Sequence, residues 1–135
     1  MKYLPADKAV LTGSPIRAEL LKGERTSGLA YAHLKEEKPV LLIIGGSLGS
    51  VAVNTAVRRI LPRLLPSFQI IHICGKGNLD ESLIGTEGYV QYEYVDAPLK
   101  HLFAAADIVI SRAGANSICE LLALRKPNLL IPLSA

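Results

Sequence analysis

Two glycine-containing turns carry the residues of this chain whose types and spacing are best suited to chemistry. The first is Gly45–Ser50 (Gly-Gly-Ser-Leu-Gly-Ser), and the second is Ser111–Ser117 (Ser-Arg-Ala-Gly-Ala-Asn-Ser). Each follows an apolar, β-type run and precedes a helical pattern, so backbone N–H groups at the positive end of a helix are free to bind a phosphate. The second turn also has Arg112 before its glycine and Glu120 after it. Together the two turns predict a nucleotide-diphosphate site.

The glycine spacing of the first turn excludes two common nucleotide motifs. Its glycines fall at the first, second and fifth positions, whereas the dinucleotide fingerprint needs the first, third and sixth. The ribose-binding acid of that fingerprint is also missing, since there is no Asp or Glu between Val40 and Leu79. The turn does not end in the Gly-Lys-Ser/Thr of a P-loop. It can still offer the Ser47 hydroxyl and the N–H groups of Ser47 to Ser50 to a phosphate, or it can be a tight strand–helix connection.

The second turn offers several polar groups around one glycine. Arg112 stands at a strand end and can reach a diphosphate, and Gly114 permits a close backbone approach or a positive φ. Asn116 or Ser117 would cap the next helix. Ser117 and Glu120 form a Ser-x-x-Glu capping box, in which the carboxylate only satisfies a backbone N–H. The functional alternative is that the carboxylate of Glu120 accepts hydrogen bonds from sugar hydroxyls.

A third strand–turn–helix unit, Thr12–Arg17, places a cation where helices prefer acids. Arg17 would lie in the first helical turn, so its charge indicates a nearby anion or an ion pair with a glutamate. Lys76 and Asp96 also fall at predicted strand ends. Each either lies at the same edge of the sheet as the glycine-containing turns or is an ordinary charged residue of a loop.

The elements that position these turns alternate between strand and helix throughout the chain. The predicted strands are Lys8–Leu11, Val40–Ile44, Phe68–Cys74, Tyr89–Val95, Ile108–Ser111 and Asn128–Pro132. The predicted helices are Pro15–Leu21, Arg25–Leu34, Ser50–Leu65, Leu79–Leu83, Ala97–Ala106 and Ser117–Leu124. This order predicts an α/β fold with a doubly wound parallel sheet, whose ligands bind at the carboxyl ends of the strands.

Two details of the packing are predicted as well. In the long helix, Val53, Val57, Ile60 and Leu64 would form the buried face, and Pro62 would kink the helix or end it early. The last strand would lie in the core, and the chain ends three residues after Pro132. Because such a strand is normally covered by a following helix, we expect a domain truncated at its C-terminus.

Composition limits the functional classes. The 135 residues fit one domain with a Leu-, Ile- and Val-rich core, and the net charge is +3. The basic residues of the acid-free segment, which are Arg58, Arg59, Arg63 and Lys76, would serve an anionic ligand, an anionic membrane surface or a solvated helix face. No aromatic residues are interleaved with them, which argues against nucleic-acid binding.

Cysteine and histidine spacing gives no sign of a metal or redox site. Cys74 and Cys119 are far apart and are predicted to be reduced core thiols of a cytoplasmic protein. His33, His72 and His101 have no ligand spacing, so no metal is expected. No apolar run reaches membrane-spanning length, and the N-terminus has no signal-peptide pattern.

Three blocks of the sequence, in order and spacing, resemble the C-terminal, donor-binding half of the MurG family of glycosyltransferases. The blocks are Thr12–Arg17, Gly45–Ser50 with Asn54, and Ala105–Ser117 with Glu120. The resemblance covers nearly the whole chain. It implies that residues 1–135 form the Rossmann-like donor domain of a GT-B enzyme, which transfers N-acetylglucosamine with inversion from UDP-N-acetylglucosamine to lipid I. The product is lipid II, a peptidoglycan precursor made at the cytoplasmic face of the cell membrane.

The resemblance also implies roles for individual residues. Arg17 and Ser47, with the N–H groups of the first turn, would bind the diphosphate, and the Val95 backbone would bind uracil, although the loop after Val95 is one residue longer than in the family. Glu120 would bind the ribose hydroxyls. The predicted substrate-binding residues are Arg17, Gly46, Ser47, Gly49, Val95, Arg112, Gly114, Ala115, Asn116, Ser117 and Glu120.

The same resemblance implies that other functions lie outside this chain. Catalytic residues, the lipid I acceptor site and most of the membrane contact would belong to an N-terminal domain. No cofactor or metal is implied, and the isolated fragment is expected to bind UDP weakly without transferase activity. Two alternatives remain: a stand-alone sugar-nucleotide-binding subunit of a split transferase, and a related transferase acting on diacylglycerol. A nicotinamide-dependent dehydrogenase is disfavoured by the glycine spacing.

Overall fold

A single parallel sheet organises the described part of the protein. The computed structural model describes residues 22–45, 51–112 and 124–131. Its strands are β1 (Val40–Ile44), β2 (Gln69–Ile73), β3 (Tyr89–Tyr92), β4 (Ile108–Arg112) and β5 (Asn128–Ile131). Its α-helices are α1 (Arg25–Tyr31), α2 (Val51–Leu64) and α3 (Leu99–Ala105), and Glu81–Leu83 form a short 3-10 helix. The sheet order is β3-β2-β1-β4-β5, with every neighbouring pair parallel.

The position of β1 at the centre of the sheet explains why Val40–Ile44 is apolar at every position. Successive side chains of a strand point to opposite faces. Val40 and Leu42 are buried in one layer with residues of α1 and α3, whereas Leu41 and Ile43 are buried in the other layer with residues of α2. Both faces of β1 are therefore covered, as in parallel sheets generally. The predicted doubly wound, Rossmann-like α/β fold is confirmed.

Helices α1 and α3 approach each other closely because one position on α1 has no side chain. A Cβ atom built on Gly28 would lie 2.1 Å from the backbone oxygen of His101. The Nδ1 atom of His101 in turn accepts a hydrogen bond from the backbone N–H of Glu24, at the start of α1. This contact fixes the helical layer over one face of the sheet.

The predicted elements are confirmed for the described residues, but several are shorter than expected. Helix α1 ends at Tyr31 rather than Leu34, and the predicted helix Leu79–Leu83 is a 3-10 helix over Glu81–Leu83. Strand β3 ends at Tyr92 rather than Val95, and α3 begins at Leu99 rather than Ala97. Pro98 explains the later helix start, because the residue before a proline is disfavoured in helical geometry. The Leu99 N–H instead donates to the Asp96 carbonyl, 3.0 Å away, in a tight turn.

Two predictions of packing were wrong, and so was one of the two alternatives for Pro62. Helix α2 does not end at Pro62 but continues to Leu64, since a proline in the last turn removes only one of its hydrogen bonds. Leu61 is buried in α2, whereas Ile60 is 41% exposed. Strand β5 is not a core strand: the sheet order leaves it at an edge of the described sheet, and Leu129 is 57% exposed. The predicted strand Lys8–Leu11 and the predicted helices Pro15–Leu21 and Ser117–Leu124 lie outside the described residues.

Candidate functional site

The carboxyl ends of β1 and β4 meet at the point where the order of the sheet reverses. Strand β1 lies between β2 and β4 in the sheet. The chain goes from β1 to β2 on one side and from β4 to β5 on the other, so it leaves these two neighbouring strand ends in opposite directions. Such a switch point is where open parallel sheets bind ligands. In the register of the sheet, Ile44 is the partner of Ser111. Both glycine-containing turns therefore begin side by side at the switch point.

Two of the predicted substrate-binding residues lie among the described residues, and both are at this edge. Arg112 is the last residue of β4, where its backbone pairs with Ile131 of β5. Val95 follows β3, and its side chain is buried in the layer formed with α1 and α3. Within the described part of the chain, no backbone hydrogen bond involves Val95. The other predicted site residues lie outside the described ranges: Arg17, Gly46, Ser47, Gly49, Gly114, Ala115, Asn116, Ser117 and Glu120.

The loop after β2 reaches the same edge. Gly75 and Gly77 have φ angles of 96° and 78°, which a side chain would strain. The N–H of Gly77 donates to the carboxylate of Glu93, which follows β3. Lys76, between these glycines, is exposed at the carboxyl end of the sheet, as predicted. The loops after β2 and β3 are thus tied together next to the switch point.

A buried polar network joins α2 to β2 and β3. His72 of β2 is fully buried, with its Nδ1 atom 2.7 Å from the hydroxyl of Tyr89 and its Nε2 atom 2.8 Å from Oδ1 of Asn54. The Nδ2 atom of Asn54 donates to the carbonyl of Cys74 at 2.9 Å, which leaves Oδ1 to accept from His72. His72 therefore carries its proton on Nε2, and its Nδ1 atom accepts a hydrogen bond from Tyr89.

The electrostatics of this network favour the neutral ring. Burial lowers the pKa of His72 to about 4, and the positive charge of Arg58 contributes in the same direction. Burial also raises the pKa of Tyr89 to about 12. Both groups are therefore neutral near pH 7, as the hydrogen-bond pattern requires.

Arg58 makes internal hydrogen bonds, so the prediction of a solvated helix face is wrong for this residue. Its NH2 atom donates to the carbonyl of Asn78 at 2.6 Å and to Oε1 of Gln91 at 2.8 Å, and it lies 3.3 Å from the sulfur of Cys74. These contacts hold the loop after β2 against α2. Arg59 and Arg63, on the other side of α2, are exposed.

Cys74 has the environment predicted for a structural thiol. It is a free, buried cysteine, and burial raises its pKa, so the thiol stays protonated. Cys119 lies outside the described residues.

Sequence reasoning missed the network around His72, although the sequence contained a signal. A histidine stands in the middle of the apolar run Phe68–Cys74, and a buried imidazole requires partners. Asn54 and Arg58 stand four residues apart in α2, on the border of its apolar face. Nothing local identifies Tyr89 as a partner, because it comes from another strand.

Two clefts of the described surface lie away from the switch point. One cleft lies at the opposite edge of the sheet, around Lys35, Pro62 and Glu87, and another runs beside β3, around Leu79 and Ile84. In the described ranges, no cluster of three or more His, Cys, Asp or Glu residues could hold a metal ion. Nor does any described helix combine the length and apolar character needed to cross a membrane.

Comparison with known proteins decides the family. The model of the glycosyltransferase family 28 C-terminal domain matches residues 40–135, which include β1 to β5 and both glycine-containing turns. The chain belongs to this family. The family 28 match thus places the switch point between β1 and β4 inside the conserved domain.

Curated relatives match the chain over its full length. Proteins from Lachnospira eligens and Lachnoclostridium phytofermentans are 63% and 64% identical over 135 residues, and one from Clostridium botulinum is 60% identical over 134 residues. Each is named UDP-N-acetylglucosamine--N-acetylmuramyl-(pentapeptide) pyrophosphoryl-undecaprenol N-acetylglucosamine transferase. The resemblance to the MurG family is confirmed.

The relatives also show how much of a family 28 protein this chain represents. It spans 38% of the length of each of these three relatives. The matches to the first two cover all of the chain, so they include the Thr12–Arg17 block, which precedes the residues matched by the family model.

Proposed function

We propose that this chain is the UDP-N-acetylglucosamine-binding domain of a GT-B glycosyltransferase that converts lipid I to lipid II in peptidoglycan synthesis. The observation that carries the proposal is the pairing of Ile44 with Ser111, which starts both glycine-containing turns at one switch point of a family 28 domain. Relatives at about 60% identity are named for the same donor and a lipid-linked acceptor.

The proposed site binds the donor from three sides. Arg17, Ser47 and the N–H groups of residues 46–49 hold the diphosphate. The backbone of Val95, which has no hydrogen-bond partner among the described residues, binds the uracil edge. Glu120 accepts hydrogen bonds from the ribose hydroxyls. Arg112 and residues 114–117 line the sugar end of the pocket.

These contacts would assist the reaction by stabilising the leaving group. The 4-hydroxyl of the acceptor attacks the anomeric carbon, the bond from that carbon to the UDP oxygen breaks, and the configuration inverts. Negative charge grows on the departing diphosphate. Backbone N–H groups at a helix start and an arginine stabilise that charge without a metal ion. This domain therefore supplies the electrostatic half of the catalysis.

The remaining functions belong to a partner domain in this proposal. The general base, the lipid I site and most of the contact with the cytoplasmic face of the membrane lie on an N-terminal domain. The 135-residue chain alone binds UDP weakly and transfers no sugar.

Calorimetric titration of the chain with UDP, UDP-N-acetylglucosamine and NAD tests this function. We expect measurable binding of the two uridine nucleotides and none of NAD. Binding of NAD without UDP would overturn the proposal in favour of a dinucleotide enzyme. Absence of binding for all three nucleotides would contradict the donor-domain function of this chain.

A further inference from the structure

The buried network around His72 ends at the helix that follows the first glycine-containing turn. Asn54 lies in the first turn of α2, whose first residue is Val51. Its Nδ2 atom donates to the carbonyl of Cys74, the residue that follows β2 at the carboxyl edge of the sheet. Asn54 is only 2% exposed, so these hydrogen bonds are shielded from water. They fasten the start of α2 to the end of β2.

This attachment limits where the turn can lie. Residues 46–50 must connect Gly45, at the end of β1, with Val51, at the start of α2. β1 holds one end of this connection through its pairing with β2 and β4. Asn54 holds the other end. A shift of α2 at Asn54 would therefore change the distance that residues 46–50 must span.

His72 and Tyr89 determine how Asn54 is held. Nδ2 of Asn54 donates to Cys74 while Oδ1 of the same amide accepts from Nε2–H of His72 at 2.8 Å, and the two hydrogen bonds together fix the orientation of the amide. The Tyr89 hydroxyl, 2.7 Å from Nδ1 of His72, favours the tautomer that keeps the proton on Nε2. Three elements, β3, β2 and α2, are therefore linked in series by directional hydrogen bonds.

We propose that His72 is a positioning residue for the diphosphate end of the donor site, acting through Asn54 on the start of α2. The inference rests on the proposed function, because it assumes that the turn at 45–50 binds the diphosphate. His72 touches neither substrate nor reacting atoms in this role. It fixes the direction of α2, whose N-terminus supplies N–H groups to the phosphate. Val95, the proposed uracil contact, is buried in the layer with α1 and α3 rather than with α2, so we expect uracil binding to be independent of His72.

Separate measurements of UDP and uridine binding to the 135-residue chain test the inference. Tyr89→Phe removes the hydroxyl that sets the tautomer, and His72→Gln replaces the ring while keeping a donor. Loss of one oriented hydrogen bond predicts that each variant weakens UDP binding about five-fold. Uridine lacks the diphosphate, so its affinity should change less than about two-fold in the same variants.

Tyr92→Phe is the matched control. Tyr92 is also on β3, but its ring stacks on Tyr31 and its hydroxyl lies 3.4 Å from the backbone oxygen of Tyr31. It packs in the layer with α1 and α3, on the face of the sheet away from α2. Its loss should change neither UDP nor uridine affinity. Circular dichroism confirms that each variant is folded at the titration temperature.

The outcomes separate this inference from the proposed function. Failure of the wild-type chain to bind UDP overturns both. If the wild-type chain binds UDP and the Tyr89→Phe and His72→Gln variants bind it equally well, only the positioning role is overturned. An equal loss of UDP and uridine affinity in these variants also overturns it, because such a loss indicates general destabilisation. The wild-type chain gives a further check by NMR: UDP should shift the ring nitrogens of His72 and uridine should not, and equal responses contradict the inference.

Discussion

Ile44 and Ser111 are partners in the register of the parallel sheet, although they lie in different halves of the chain. Ile44 ends β1, and Ser111 is the next-to-last residue of β4. The chain leaves these neighbouring positions into the two glycine-containing turns. The helix after β1 packs on one face of the sheet, and neighbouring strand ends at such a switch point are where open parallel sheets bind ligands. The predicted site depends on this pairing more than on either turn alone.

The first prediction follows from that relationship. Addition of UDP should shift the backbone amide signals of Gly45 and Arg112, at the carboxyl ends of β1 and β4. The amides of Val40 and Ile108, at the opposite ends of the same strands, should stay unchanged. Two-dimensional NMR of the labelled chain measures both sets in one titration. Shifts concentrated at Val40 and Ile108 would place the ligand at the wrong edge of the sheet.

Glu120 distinguishes a ribose contact from a helix cap. Glu120→Gln keeps the shape and one acceptor oxygen but removes the charge, so UDP affinity should fall about ten-fold, as expected for a lost charge-assisted hydrogen bond. The melting temperature should change little. Calorimetry and thermal unfolding measure the two effects. A lower melting temperature with unchanged UDP affinity would show that Glu120 only caps its helix.

The buried His72 predicts a specific acid dependence of stability. Its pKa is about 4 in the folded chain against an ordinary value of 6.5, so the unfolded chain binds a proton more readily between these values. The contribution of the neutral His72 ring to the free energy of unfolding is therefore complete above pH 6.5. It is lost as the pH falls towards 4, and the total loss is about 3 kcal/mol.

Denaturant unfolding at a series of pH values measures this effect. His72→Gln should remove that part of the pH dependence of the free energy of unfolding. His33→Asn, at an exposed histidine, is the control and should retain the wild-type dependence. Identical pH profiles for His72→Gln and the wild-type chain would contradict the buried, neutral state of His72.

Gly28 should be intolerant of even one methyl group. The added Cβ of Gly28→Ala would meet the His101 oxygen at 2.1 Å and the Ala105 Cβ at 2.9 Å. Overpacking of this kind costs about 1–3 kcal/mol, which offsets or exceeds the gain of about 1 kcal/mol in helix propensity. Chemical denaturation should therefore show a less stable variant. Thr26→Ala, at an exposed position of the same helix, should be neutral or slightly stabilising.

Two carboxylates around Arg25 should differ in their contribution to stability. Asp107 accepts hydrogen bonds from the Arg25 guanidinium and, at 2.8 Å, from the buried backbone N–H of Val40. Asp107→Ala leaves that N–H unpaired and should cost about 1–3 kcal/mol. Glu36 pairs with the same arginine, but its side chain is 59% exposed, so Glu36→Ala should cost less than about 1 kcal/mol. Equal losses in urea unfolding would contradict this difference.

The sequence by itself determined the type and order of the elements. The run Val40–Ile44 is apolar at every position and forms a strand with the predicted bounds, because both of its faces are buried. Its alternation with helical periods defined a doubly wound parallel sheet, and the two glycine-containing turns indicated the site. Such patterns are local: they depend on side-chain periodicity and on backbone freedom at glycine.

The tertiary structure decided which of these elements are neighbours and which polar groups are used internally. The pairing of Ile44 with Ser111, the edge position of β5 and the link from Tyr89 through His72 to Asn54 each join residues from separate strands or helices. The sequence left the role of Arg58 open. The fold brings Asn78 and Gln91 beside this residue, and its hydrogen bonds to them give it a structural role. Strand order and the partners of buried polar groups arise from long-range packing, which local periodicity does not contain.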